Sequence, residues 1–258
     1  MRVQMLPSTI EPDGRASLRQ HLPTLVIDDR VAIDAGCLAL SCSDEQRSDV
    51  RDIVLTHVHL DHIAGLPLFI DDLFATLDRP VRIHATREMI DILERDIFNW
   101  SIYPRFSELR NSNGPVIEYH EFSHGDTFDA GHLTVESIAV NHKVGASGYI
   151  VSNGTSSIAI TGDTAETEAI WQRCNVAESL AAVFVECAFP DELSDLAAVS
   201  CHLTPRRLKT ELEKLTDRTV PVYIINIKSM YRSQVVDQIA ELGIDQVEIL
   251  EVGRTYAF

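Results

Sequence analysis

The sequence predicts an α/β (α+β) protein in which β-sheets carry helices on their outer faces. Three observations support this fold class. Short β-branched runs recur along the chain, helical patterns lie between them, and Val151-Ser152-Asn153-Gly154-Thr155 has the residues of a tight hairpin. Because a hairpin joins antiparallel neighbours, a purely parallel, doubly wound sheet is not expected.

Ten short apolar runs are predicted to be strands, because they are rich in β-branched residues and are bounded by turn-forming residues. In chain order they cover residues 25–27, 31–33, 53–55, 81–83, 133–140, 149–151, 158–160, 183–185, 222–225 and 247–250.

Three helices are predicted from apolar residues at helical spacing. Thr86 and Thr204 are candidate N-caps, Pro205 fits the first helical position, and Gly243 fits a helix end. The apolar faces consist of Met89, Leu93 and Ile97 in the first helix, Leu208, Leu212 and Leu215 in the second, and Val235, Val236, Ile239 and Leu242 in the third.

The composition excludes several classes of protein. Among 258 residues, 39 are acidic and 22 are Lys or Arg, which gives a formal net charge of −17. Such a surface repels nucleic acid phosphates. No apolar window approaches 18 residues and the N-terminus lacks the apolar core of a secretory signal, so a cytoplasmic protein is expected. Without a repeat or a Gly/Ser-rich linker, residues 1–258 are expected to form one domain.

The segment 56–62 holds most of the chemical information. It places three imidazoles and one carboxylate directly after a predicted strand: His57, His59, Asp61 and His62. Imidazole nitrogen and carboxylate oxygen suit zinc, iron and manganese. One ion cannot easily accept all four donors from so short a stretch, so two adjacent ions are predicted.

Further donors follow other apolar runs. His142 comes shortly after the run that ends at Val140, and Asp163 follows Ile160 by way of Gly162, which allows a sharp backbone turn. Strand ends that meet at one sheet edge can gather such groups from distant parts of the chain.

These residues resemble the signature of the metallo-β-lactamase superfamily. The similarity is closer to the class II cyclic nucleotide phosphodiesterases, through His57-Val58-His59-Leu60-Asp61-His62-Ile63-Ala64-Gly65-Leu66, Phe98-Asn99-Trp100 and Cys201-His202-Leu203-Thr204-Pro205. The resemblance implies an αββα sandwich of two mixed β-sheets, with helices on the outer faces and metals in a cleft at the sheet edges.

The resemblance also implies roles for individual residues. Two divalent ions, zinc or manganese, would hold a hydroxide that attacks phosphorus. Asp61 would orient this hydroxide, His202 would be the general acid, and Lys228 would contact a substrate phosphate. The implied ligands are His57, His59 and His142 for one ion, Asp61 and His62 for the second, and Asp163 as a bridge.

One position departs from the family pattern. The family usually closes the second site with a histidine in a His-Ile-Lys context, but this chain has Asn226-Ile227-Lys228. An amide oxygen is a weaker donor than imidazole and favours manganese or magnesium. We therefore predict a tight first site and a loose second one, with Asn226 a weak or absent ligand.

The predicted function is that of a metal-dependent hydrolase, a 3',5'-cyclic nucleotide (cAMP) phosphodiesterase that releases the 5'-monophosphate. Asn226 is compatible with a reduced or altered activity. Its predicted partner is a small cyclic nucleotide, with no extended nucleic acid and no membrane; a homodimer is compatible with the sequence. The alternatives are a tRNA-processing endonuclease, a thioester or lactone hydrolase, and a non-catalytic metal-binding protein.

The remaining histidines have no ligand spacing and are predicted to lie at the surface or beside the ligands: His21, His84, His120, His124 and His132. Phe98 and Trp100 are predicted to belong to the core.

Overall fold

The strands form two large sheets and one small ribbon in a computed structural model that describes residues 1–258. They are β1 (Arg2–Met5), β2 (Leu25–Ile27), β3 (Val31–Ile33), β4 (Asp52–Val54), β5 (Val81–Ala85), β6 (Arg110–Asn111), β7 (Gly114–Pro115), β8 (Ile117–Glu121), β9 (Thr127–Ala130), β10 (Leu133–Ala139), β11 (Ser147–Ser152), β12 (Ser157–Ile160), β13 (Leu180–Glu186), β14 (Val222–Ile225), β15 (Val247–Ile249) and β16 (Thr255–Ala257).

The helices are short, and none is long and apolar enough to cross a membrane. They are α1 (Leu38–Ser41), α2 (Asp44–Asp49), α3 (Leu60–Ile63), α4 (Leu66–Leu73), α5 (Arg87–Ile92), α6 (Ala169–Cys174), α7 (Ser194–Ser200), α8 (Pro205–Leu212) and α9 (Arg232–Glu241), with a π-helical turn at Leu93–Ile97 and 3₁₀ turns at Phe106–Glu108, Asp191–Leu193 and Ser229–Tyr231.

Both large sheets are mixed. The first has the order β16-β1-β2-β3-β4-β5-β8 and the second β15-β14-β13-β12-β11-β10-β9. Strands β3, β4, β5 and β8 run parallel to one another, as do β12, β13, β14 and β15. Each sheet therefore has a group of parallel strands whose carboxyl ends can meet at one edge.

The core has three layers. Ile33, Val54, Tyr149 and Ile160 belong to a buried cluster formed by residues of both sheets. A second cluster joins the other face of the first sheet to α1, α4 and α5, and a third joins the second sheet to α6, α8 and α9. The predicted sandwich, with helices outside two mixed sheets, is confirmed.

The predicted elements agree with the structure apart from their ends. All ten strand segments lie in or overlap strands, but three of the strands end one residue earlier than predicted, at Val54, Ala139 and Ile249. Thr86 accepts the N–H of Met89 and caps α5, as predicted. The helix predicted through Leu215 ends at Leu212, because the chain turns there.

Trp100 is not a core residue, which corrects the prediction made for it. Phe98 is fully buried, but Trp100 is 57% exposed and has a left-handed backbone with φ of 68°. Its indole N–H donates to Glu108 at the surface. The chain reverses after Phe98, so the two aromatic side chains face opposite environments.

Asp52 at the start of β4 anchors the first sheet. Its carboxylate accepts bonds from Arg82 Nε at 2.7 Å and from His84 Nε2 at 2.8 Å. Burial opposes the charge on Asp52, but these two bonds outweigh burial and lower its pKa. The stabilisation is thus fully present above about pH 3.9, the pKa of Asp in the unfolded chain. It is lost as the pH falls through the lower pKa that Asp52 has in the folded protein.

We expect Asp52→Asn to lower the free energy of unfolding at pH 7 by about 1–3 kcal/mol, because the buried His84 and the half-buried Arg82 lose a charged acceptor. Urea denaturation measures this loss, which should shrink at pH 3. Asp96→Asn is the control, since Asp96 pairs with Arg95 at the surface. Equal losses in the two variants would contradict the assignment.

Candidate metal centre and active site

The predicted ligands converge at one edge of the sandwich. In the first sheet, Asp34 follows β3 and the segment 56–62 follows β4; in the second, His142, Asp163 and Asn226 follow β10, β12 and β14, and Glu186 ends β13. Carboxyl ends of parallel strands are where ligands bind in open α/β sheets.

Three imidazole nitrogens form the first donor group. His59 Nδ1 lies 3.1 Å from His57 Nε2 and 3.1 Å from His142 Nε2. Burial lowers the pKa of all three side chains, which favours their neutral forms. The group thus collects neutral imidazoles around one point.

Outer hydrogen bonds fix the tautomers of two of these imidazoles. His142 Nδ1 must donate to the Cys201 carbonyl, 3.0 Å away, because a carbonyl can only accept. Thr56 Oγ1 donates to Asp34 Oδ2, so it accepts from His57 Nδ1. The Nε2 lone pairs of His57 and His142 are therefore aimed at His59, whose Nδ1 can donate to only one of them.

His62 and Asp163 form the second donor group with His57. His62 Nδ1 lies 2.7 Å from Asp34 Oδ2, and its buried Nε2 has no hydrogen-bond partner and lies 3.3 Å from Asp163 Oδ2. Asp163 Oδ2 is also 3.9 Å from His57 Nε2, so this carboxylate lies between the two groups. Burial opposes charge on His62, but Asp163 and Asp34 outweigh it and raise its pKa.

This donor set fits divalent cations. A bound cation would accept the converging lone pairs of the imidazoles and give the buried His62 Nε2 the partner that it lacks. It would also balance the negative charge of the Asp163 carboxylate. His57, His59 and His142 would hold one ion, while His62 and Asp163 offer donors for a second.

Asp61, Asn226 and Lys228 surround a cavity of about 130 Å³ beside the second group. Asp61 does not lie among the clustered donor atoms; its carboxylate is 3.3 Å from Lys228 Nζ. Asn226 donates from Nδ2 to Asp163 Oδ1 at 2.6 Å, and its own buried Oδ1 has no partner. The amide of Asn226 thus engages one oxygen of the carboxylate that lies between the two donor groups.

His202 lies next to the first group and is held by a buried carboxylate. Its Nδ1 is 2.7 Å from Glu186 Oε1, and its ring is 5.1 Å from that of His142. Burial opposes the charged imidazole, but Glu186 outweighs burial and raises the pKa of His202. Glu186 also accepts the N–H groups of Thr164 and Ala188, so it is fixed.

The sequence reasoning missed Asp34, Thr56 and Glu186. Asp34 and Glu186 carry the signal that identified Asp163, a carboxylate where an apolar run ends. They do not belong to the clustered donors; Asp34 orients His62, and Glu186 orients His202.

The family comparison agrees with this fold and donor set. The domain described as "Beta-lactamase superfamily domain" matches residues 30–222, and the chain belongs to this superfamily of metallo-hydrolases. Membership implies that the edge described above binds divalent metal.

Individual relatives are more distant. A probable 3',5'-cyclic-nucleotide phosphodiesterase of Yersinia pestis is 24% identical over 211 residues, which are 72% of this chain and 59% of that protein, so this chain spans about three-fifths of that relative. The structure of unliganded yeast PDE1 has a TM-score of 0.73 at 17% identity, over 98% of both chains. Human tRNase Z, short form, has a TM-score of 0.70 at 16% identity, over 100% of this chain and 99% of that one.

We expect Asp34→Asn to weaken metal binding about 10- to 100-fold, because the variant disturbs the tautomers of both His57 and His62. Calorimetric titration of chelator-stripped protein with Zn²⁺ measures the dissociation constants. Asp237→Asn, on the exposed face of α9, should leave them unchanged. Wild-type affinity in Asp34→Asn would show that this carboxylate does not organise the site.

Proposed function

We propose that the protein is a 3',5'-cyclic nucleotide phosphodiesterase that releases the nucleoside 5'-monophosphate. One observation carries the proposal: two adjacent donor groups meet at His57 and Asp163, next to the His202 imidazole, which the buried Glu186 carboxylate holds. When bound, two divalent cations, zinc or manganese, would lower the pKa of a water and neutralise phosphoryl oxygens.

Lys228 supports a phosphate substrate. Burial disfavours its ammonium group, but Asp61 and Asp163 outweigh burial and raise its pKa, so it is charged at neutral pH. Lys228 lines the cavity beside the second donor group, and its ammonium group would contact a nonbridging phosphate oxygen as a point charge.

Asp61 and His202 would divide the proton transfers. Asp61, whose side chain is 32% exposed, accepts a hydrogen bond from the attacking water, orients its oxygen toward phosphorus and takes up the proton that this oxygen loses. As the new P–O bond forms, the bond from phosphorus to the 3'-oxygen breaks. His202 gives that oxygen a proton from Nε2, and the product is a 3'-hydroxyl beside a 5'-phosphate.

The charge of the chain supports a small substrate. A protein with 39 acidic residues against 22 Lys and Arg repels a long phosphate backbone, whereas a small anion responds mainly to the local cations of the cleft. A tRNA-processing endonuclease is the second candidate, because the fold is also similar to human tRNase Z. A thioester or lactone hydrolase and a non-catalytic metal-binding protein are the further alternatives.

We expect protein loaded with Mn²⁺ or Zn²⁺ to convert 3',5'-cyclic AMP to 5'-AMP, and a chelator to abolish this activity. Separation of the nucleotides by chromatography identifies the product. Cleavage of a precursor tRNA, a thioester or a lactone, without turnover of any cyclic nucleotide, would refute the proposal in favour of the corresponding alternative.

We expect His202→Ala to lower kcat for cyclic AMP about 10²- to 10⁴-fold, because the 3'-alkoxide loses its proton donor. The loss should be much smaller with a nitrophenyl phosphodiester, since nitrophenolate leaves without a proton. Ser200→Ala is the control, because this hydroxyl bonds only within its own helix. Equal losses on both substrates would exclude His202 as the general acid.

A further inference from the structure

The second donor group is one protein ligand short, and the structure places another histidine at the same cavity. This cavity of about 130 Å³ is lined by Asp61, His62, Asp163, Asn226 and Lys228 and also by Gln20, His21 and Pro23. Asn226 offers no imidazole, and the bond from its Nδ2 engages Asp163.

The backbone around His21 is fixed at the rim of the cavity. The His21 N–H donates to Ser8 Oγ at 2.8 Å, and the carbonyl of Gln20 accepts from Ser229 Oγ at 3.0 Å. The Pro23 carbonyl accepts the N–H of Gly36. A Cβ on Gly36 would lie 2.1 Å from the Asp61 carbonyl and 2.8 Å from that of Pro23, so only glycine allows this approach.

The hydrogen bonds of His21 also favour one tautomer. Ser229 Oγ uses its proton on the Gln20 carbonyl, so it can only accept from His21 Nδ1, 3.5 Å away. The lone pair is then on Nε2. Thr56 fixes the tautomer of His57 by the same arrangement. Its hydroxyl donates to Asp34 and accepts from His57 Nδ1, so the lone pair of His57 is on Nε2. The His21 side chain is exposed, so no packing contact holds its ring in a single rotamer.

We infer that His21 supplies the imidazole ligand of the second metal ion, together with Asp61, His62 and Asp163, in place of the histidine that Asn226 replaces. This inference rests on the two-ion site of the proposed function. It goes beyond the prediction that His21 lies at the surface or beside the ligands, with which its exposed side chain agrees. A histidine from the segment before β2 would then do what the end of β14 does in the family pattern.

Metal titration tests the inference without reference to activity. Chelator-stripped wild-type protein titrated calorimetrically with Mn²⁺ should bind two ions, the second more weakly. His21→Ala should weaken only the second step, by about tenfold or more, since changes beside a ligand already cost that much. His120→Ala, which removes an exposed imidazole on β8, should change neither step.

A double variant separates ligation from a local structural effect. Asn226 has φ of 54°, a left-handed conformation that histidine also adopts, so Asn226→His should fold. Added to His21→Ala, it should restore the second binding step. Equal thermal unfolding of the stripped variants would exclude a general loss of structure.

Three results would overturn the inference: a wild-type stoichiometry of one, unchanged binding in His21→Ala, or a double variant as weak as His21→Ala. The proposed function fails separately. Protein that binds two ions but hydrolyses no cyclic nucleotide would refute the phosphodiesterase activity and leave the role of His21 intact. Hydrolysis of a cyclic nucleotide by protein that binds a single ion would refute the role of His21 and leave the phosphodiesterase activity intact.

Discussion

The Asp34 carboxylate is the contact on which the metal centre depends most. One oxygen accepts the Thr56 N–H at 2.8 Å, and the other lies 2.7 Å from both Thr56 Oγ1 and His62 Nδ1. This single buried group positions an imidazole from each donor group, His62 directly and His57 through Thr56. Since Asp34 itself has a left-handed backbone directly after β3, the strand end determines where the imidazoles point.

The two sheets make this arrangement possible together. The first sheet contributes the histidine-rich segment and its orienting carboxylate, while the second contributes Asp163, Glu186 and the residues that follow β10 and β14. Neither sheet holds a complete site. The buried cluster between the sheets, which includes Val54 and Ile160, holds the two edges in register, so the packing of the core sets the distances between donor atoms.

The sequence predicted the sandwich because its strands are short, apolar and regularly punctuated. It predicted the donor residues because four of them lie in one segment and two others follow strands. Amphipathic edge strands such as β8 and β9 were missed, since exposed residues interrupt their apolar pattern. The orienting carboxylates and the position of His21 depend on contacts between residues far apart in the chain. Periodicity carries no signal for such contacts, and the hydrogen bond of His21 to Ser229 spans 208 positions.

The central claim is that this edge holds two cations that share Asp163. Anomalous diffraction from crystals of the Mn²⁺-loaded protein tests it most directly. The account predicts two peaks, one among His57, His59 and His142 and one among Asp61, His62 and Asp163. A single peak in the first group, or manganese bound away from these residues, would contradict it.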